Sequence, residues 1–166
     1  ATVGTFIAEF GTLTERTGDR RYYDAAKTAL HVAFESRTLL DLVPYAMNVE
    51  TGRPRSAVTL VDPPAESFYE SLWDGYALFG DDDLKLWFDT LTEAILAHQA
   101  ETVDGRLWFG QADVYTGRIV GRTQTELACR YAGLLAEGGH PETGKSYFDS
   151  WLAVRDRYGA LPERID

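Results

Sequence analysis

Pro63-Pro64-Ala65-Glu66-Ser67-Phe68-Tyr69-Glu70 sets two carboxylates four residues apart, directly behind a proline pair. Proline fixes φ and suits the first turn of a helix. The apolar residues that follow, Phe68, Leu72, Trp73, Tyr76 and Phe79, recur at helical spacing. The pattern predicts a helix over 66–79 with Glu66 and Glu70 one above the other at its start. A helix N-terminus favours negative charge. Two readings therefore stand side by side: acids that complement the dipole and face water, or an acid and a base aimed at a substrate.

Working outward, one phrase is spoken three times. Thr17-Gly18-Asp19 precedes Tyr22-Tyr23-Asp24, Phe79-Gly80-Asp81 precedes Trp87-Phe88-Asp89, and Glu137-Gly138-Gly139 precedes Tyr147-Phe148-Asp149. Each copy reads as a helix stopped by glycine, a short polar turn, and a second helix carrying an aromatic pair and an Asp. The spacing of roughly 60–65 residues, with two helices per unit, means stacked helical hairpins. The expected helices run over 3–17, 21–36, 66–79, 84–100, 123–137 and 142–157. Between units lie extended stretches. Residues 42–48 and 56–60 flank Glu50-Thr51-Gly52-Arg53-Pro54 and read as one β-hairpin; residues 107–111 and 115–120 read as a second. The fold class is mainly α: about three helical hairpins with short β-hairpin insertions, an arc belonging to a larger (α/α) toroid or barrel. Its loops gather at one end, where a site can be built. Its open ends leave apolar helix faces that need a partner.

Composition narrows the function classes. The chain has 166 residues, 45 % of them hydrophobic and 13 % aromatic, enough to build a core. A net charge of −10 argues against nucleic acid or anionic lipid as partner. No stretch approaches the ~18 apolar residues of a membrane span. Ala1-Thr2-Val3-Gly4 carries no basic leader and no initiator methionine, the reading of a piece of a longer protein. With one cysteine, Cys129, no internal disulfide forms, and the three scattered histidines, His31, His98 and His140, read as surface or loop residues rather than zinc ligands. Asp81-Asp82-Asp83 has the look of a metal cluster, but lacks the alternation and glycine of an EF-hand and reads as a helix cap. Trp87 and Trp151 carry the packing of the repeat. Trp108, on a hairpin near the presumed mouth, reads either as a sugar platform or as core. Gly4, Gly11, Gly75 and Gly133 fall inside the expected helices, where close helix approach is the reason to keep them.

In this setting Ala65 to Glu70 resembles the signature "(A/G)-x-D-S-(F/Y)-Y-E" of glycoside hydrolase family 47, the inverting α-1,2-mannosidases and the related degradation-enhancing mannosidase-like proteins. Glu9-Phe10 through Thr17-Gly18-Asp19, Leu42-Val43-Pro44 through Thr51-Gly52, Leu127-Ala128-Cys129 and Gly159-Ala160-Leu161-Pro162-Glu163 are similar to further motifs of that family, in the same order along nearly the whole chain. The resemblance implies the middle of an (α/α)7 barrel. It implies removal of terminal α-1,2-linked mannose from oligosaccharides or N-glycans with inversion, and a calcium ion (Ca2+) whose ligand lies outside this chain. It also implies a mannose-containing oligosaccharide as partner, together with the remainder of the same barrel domain. The compartment it implies is the secretory pathway (ER or Golgi), the cell exterior or the periplasm. Inverting glycosidases use two carboxyls about 6.5–9.5 Å apart, one as acid and one to activate water. By resemblance Glu66 takes the place of a catalytic Asp and Glu70 lies beside it. Glu9, Glu126, Glu163 and Trp108 are the expected substrate-binding residues.

The sequence departs from the family pattern at four places. Glu66 stands where the family has Asp, and an added methylene moves a carboxylate by roughly 1 Å, enough to cost about 10²-fold in rate. Thr2 stands at a sugar-site acid, Glu126 at a histidine, and Cys129 has no partner cysteine. The rival functions are thus a catalytically weak or inactive relative that binds mannose glycans, and a helical-repeat interaction domain with no sugar site. Each singled-out acid keeps a structural alternative: Glu9 as a core acid paired with an arginine, Glu70 bonded to a turn, Glu163 as a cap or surface acid.

Overall fold

The computed structural model describes residues 3–166. In chain order the elements are α1 (Ile7–Thr17), α2 (Arg21–Glu35), β1 (Val58–Thr59), α3 (Glu66–Phe79), α4 (Asp82–His98), β2 (Ala100–Val103), β3 (Arg106–Phe109), β4 (Gln111–Asp113), β5 (Ile119–Gly121), β6 (Gln124–Thr125), a 3₁₀ helix (Glu126–Arg130), α5 (Tyr131–Glu137), α6 (Pro141–Tyr158) and β7 (Arg164–Ile165). The helices pair as α1/α2, α3/α4 and α5/α6, and α1, α3 and α5 lie side by side. The result is the expected helical segment: three hairpins in an arc, each contributing one helix to a shared inner row.

The turns follow from their residues. Gly18 and Gly80 take left-handed φ of 73° and 67°, and their N–H groups close on the Thr14 and Tyr76 carbonyls. A left-handed residue at that point is costly for anything but glycine. Asp19 then accepts from the Arg21 N–H and Asp81 from the Asp83 N–H, so an acid caps the second helix. The third copy uses Gly139 (φ 102°) and Pro141 instead. Its aromatic pair is also displaced by one. Tyr23, Trp87, Phe88 and Tyr147 are buried, while Phe148 is 51 % exposed. Gly144, Tyr147, Ser150 and Trp151 share the inward face of α6, and Phe148 is one residue off that stripe.

The main core is a continuous cluster running from Ile7 and Leu30 through Leu72, Phe88 and Phe109 to Tyr147 and Trp151, with a small separate one of Leu42, Ala94 and Val114. Trp87 and Trp151 belong to it, as the repeat implied. Helix contact is closest where side chains are absent. A Cβ on Gly11 would stand 2.1 Å from the Phe79 ring, and one on Gly75 would stand 2.2 Å from Leu84 Cδ1. Gly4 lies before α1 rather than inside it, but it too is closely approached: its φ is 80° and a Cβ would stand 2.5 Å from Leu30 Cγ of α2. The account fails only for Gly133, which has open space where its Cβ would be.

The strands differ from expectation. The loop over 42–60 keeps hairpin-like bonds (Asn48 N–H to the Arg53 carbonyl, Arg55 N–H to Ala46, Tyr45 N–H to Val58) but only a single bridge, Met47 to Pro54. β1 pairs with β4 instead, and β4 with β5. The expected second hairpin is split at Gly110. β3 turns back onto β2 across Asp104-Gly105, both at positive φ, and only β4 runs on to β5. Helix α4 therefore stops at His98 rather than at residue 100. The helix expected over 123–137 begins later, because Gln124 and Thr125 are drawn into a ladder with Ile165 and Arg164.

Candidate active site

Asp62, Glu66, Glu70 and Asp74 follow one another at four-residue intervals, from the loop before α3 into its third turn. That spacing places them on one side of the helix. α5 and the 3₁₀ helix pack against this side and bring Glu126, Arg130 and Glu137. The packing is anchored by the Tyr69–Tyr131 ring contact and by Trp73 Nε1 donating to Glu137 at 3.0 Å.

At the loop end sit three carboxyls. Asp62 is buried and accepts from the Thr125 N–H at 2.8 Å and from its hydroxyl at 2.5 Å. Glu66 Oε1 accepts from Ser67 Oγ at 3.1 Å. Glu66 Oε2 is shielded from solvent and finds no hydrogen-bond partner among the described residues, and the same holds for Glu126 Oε2. Burial pushes the Asp62 carboxyl above its ordinary range; the Thr125 bonds oppose this, and the charges of Glu66 and Glu126 add to it. One turn further, Glu70 meets Arg130 Nη2 at 2.8 Å. Burial still holds Glu70 above the usual value, with Arg130 opposing and Glu66 and Asp74 reinforcing. Asp74 is raised in the same way, by burial first, then by Glu137 and Glu9 against Arg130.

The expected site residues fall into two groups. Glu66, Glu70 and Glu126 come together on this face. Glu9 is exposed on α1 and reaches the far end of the row, where its charge acts on Asp74. Glu163 joins through its backbone: its carbonyl accepts from the Glu126 N–H at 3.3 Å while its side chain is exposed. Trp108 lies apart. Its ring packs edge-on to Trp151 and Tyr147 at 5.6 and 6.4 Å, and it lines a different cleft with Glu101, Arg122, Gln124 and Tyr158. Thr2 lies outside the described residues. Among the described residues no three His, Cys, Asp or Glu side chains converge to hold a metal. The donor set of the described residues does not by itself fit a calcium ion, and no chemical step below passes through one. The thiol of Cys129 is half-buried and pushed upward by burial.

Sequence reasoning missed Asp62, Asp74 and Arg130. The four-residue beat from 62 to 74 was available as a signal for the two acids. Nothing local marks Arg130, whose partner is 60 residues away.

A carboxyl that keeps its proton above the ordinary range, beside another whose oxygen is unengaged, is the arrangement from which proton donation and water activation are built. The comparisons with known proteins bear on the substrate. The model of glycosyl hydrolase family 47 matches residues 1–166. The chain is similar to alpha-mannosidase I MNS5 of Arabidopsis thaliana, 31 % identical over 97 % of the chain and 27 % of that protein. It is 30 % identical to the ER degradation-enhancing alpha-mannosidase-like protein 2 of Homo sapiens, over 98 % of the chain and 28 % of the relative. It is 25 % identical to a mannosyl-oligosaccharide 1,2-alpha-mannosidase of Candida albicans, over 99 % of the chain and 30 % of the relative. The chain thus spans less than a third of the length of these relatives.

Proposed function

Because the chain belongs to glycosyl hydrolase family 47, we propose that it forms one wall of the sugar pocket of an inverting hydrolase that removes terminal α-1,2-linked mannose from oligosaccharides or N-glycans. The observation that carries this reading is Glu66: its Oε2 is buried and unengaged in a group of three carboxyls at the loop end of the inner helices. Such an oxygen has no hydrogen bond to give up to a water or a glycosidic oxygen, whereas the dipole-complementing alternative would leave it in solvent. Glu66 and Glu70 take the catalytic end of the pocket, with Glu126, Glu9 and Glu163 as substrate contacts; Trp108, in the other cleft, is not one of them. Any calcium ion of the family type is held from outside this chain. The rest of the domain covers the open edge of the arc, where Phe6 and Phe10 stack at 5.7 Å and Phe6, Leu13 and Tyr22 remain exposed. The names of the relatives support a secretory-pathway setting, with a secreted or periplasmic one as the alternative. No helix among the described residues is long and apolar enough to cross a membrane.

A second reading has its own observation. Glu70 is already engaged by Arg130, and Glu66 is a methylene longer than the family's Asp, which favours a relative that binds mannose glycans with little turnover. The full-length protein assayed on α-1,2-mannobiose, with and without calcium chelation, separates the two. Hydrolysis abolished by Glu66→Gln supports the hydrolase; sugar binding without turnover supports the binding relative; neither binding nor turnover removes both.

A further inference from the structure

Asp62 is 7 % exposed and sits just ahead of α3, yet both of its carboxyl oxygens are bonded 63 residues away. Oδ2 accepts from the Thr125 backbone and Oδ1 from the Thr125 hydroxyl. Its own carbonyl accepts from the Ala65 N–H at 2.9 Å, so the residue is fixed at backbone and side chain. Thr125 ends β6 and directly precedes Glu126. Whatever holds Thr125 therefore sets where Glu126 meets the start of α3. On its other side the strand is held by β7, through Arg164 and the Glu163 carbonyl.

Two acids face Asp62, Glu66 from α3 and Glu126 from the 3₁₀ helix, both adding negative charge. Tyr147 comes from α6, but its hydroxyl donates to Gln124 Oε1. Cys129 stands near Tyr147 and Glu126. Arg130 is engaged by Glu70. A threonine hydroxyl both donates and accepts, so the link to Thr125 survives whether or not Asp62 is protonated.

We propose that Asp62 is a positioning residue for Glu66 and Glu126: its tether to Thr125 holds the 3₁₀ helix against the start of α3. The consequence for catalysis rests on the mannosidase reading; the tether does not.

The test uses full-length protein and the variants Asp62→Asn and Asp62→Ala. Asparagine can still bond Thr125 through its oxygen and its amide, whereas alanine cannot. Asp62→Ala should melt below wild type and lower kcat on α-1,2-mannobiose about tenfold with KM little changed, and Asp62→Asn should restore most of both. An Asp62→Ala protein that melts like wild type, or an Asp62→Asn protein that falls as far as Asp62→Ala, overturns the assignment. If wild type does not hydrolyse the mannobioside, the mannosidase reading falls, and the melting results still decide the role of Asp62.

Discussion

Two acidic clusters stand at the two ends of the same helix, and they behave oppositely. At the glycine turn, Asp81 accepts from the Tyr23 hydroxyl at 2.6 Å, from Lys27 Nζ at 2.9 Å and from the Asp83 N–H at 3.1 Å. Burial pushes its carboxyl upward, but the Lys27 and Tyr23 bonds outweigh that and leave it below its ordinary value. At the loop end, Asp62 is raised, and Glu66 and Glu126 each keep an unengaged buried oxygen. The first cluster is folded into the structure and stabilises it. The second is a like-charge group that the rest of the fold must hold together. In sequence the Asp81–Asp83 run is the more conspicuous, and what separates the two is the supply of donors. Unsatisfied polar groups persist in native proteins chiefly where strain serves a function.

The comparison breaks most sharply under substitution. Glu66→Gln removes a charge from the frustrated cluster and should lower kcat/KM on α-1,2-mannobiose by about 10²–10⁴-fold. It should leave the melting temperature unchanged or higher, because repulsion is relieved. A large loss of stability with activity retained would reverse the roles assigned to the two ends. Asp81→Ala should do the opposite. It deletes a helix cap and strands the Tyr23 hydroxyl and Lys27, a loss of about 3 kcal/mol in denaturant unfolding, with kcat/KM near wild type once folded. A third substitution sharpens where the two ends are joined. Gly75→Ala drives a methyl toward Leu84 and Ile7 and should cost about 2 kcal/mol through overpacking. At Gly133, where the space is open, alanine should be neutral or slightly stabilising.

The legibility of the two ends in the sequence differed for the same reason. Helical periodicity, glycine stops and the aromatic pairs report local geometry, and they placed α1 to α4 and α6 within a few residues. Asp104-Gly105 is a strong hairpin signal, yet it was passed over, because the apolar run from Leu107 to Gln111 read as one strand. Gly110 divides that run between two partners, which only the fold reveals. Thr125 left its helix because Asp62 and Arg164 compete for it from 63 and 39 residues away. The acids at 66 and 70 were readable from motif and spacing. The engagement of Glu70 by Arg130, the burial of Asp62 and the edge-on packing of Trp108 against α6 are tertiary facts with no local mark.

The smallest effect distinguishes the two clusters by sign. A carboxyl lowered by folding contributes stability that is complete above its unfolded value and is lost as pH falls through the folded one. Asp81 therefore acts at the acid end, below about pH 4. Carboxyls raised by folding bind protons more tightly folded than unfolded, so stability falls as pH rises from about 4 through their folded values. Asp62, Glu70 and Asp74 all push in this direction. Urea midpoints of the full-length protein should decline from mildly acidic to neutral pH. The decline should flatten in Asp62→Asn, while Asp81→Asn should flatten only the acid limb. The two substitutions should be additive, since their sites lie at opposite ends of α3 and share no partner. Equal slopes in both variants would mean that Asp62 ionises as freely as a surface acid, and the contrast between the two ends of the helix would disappear.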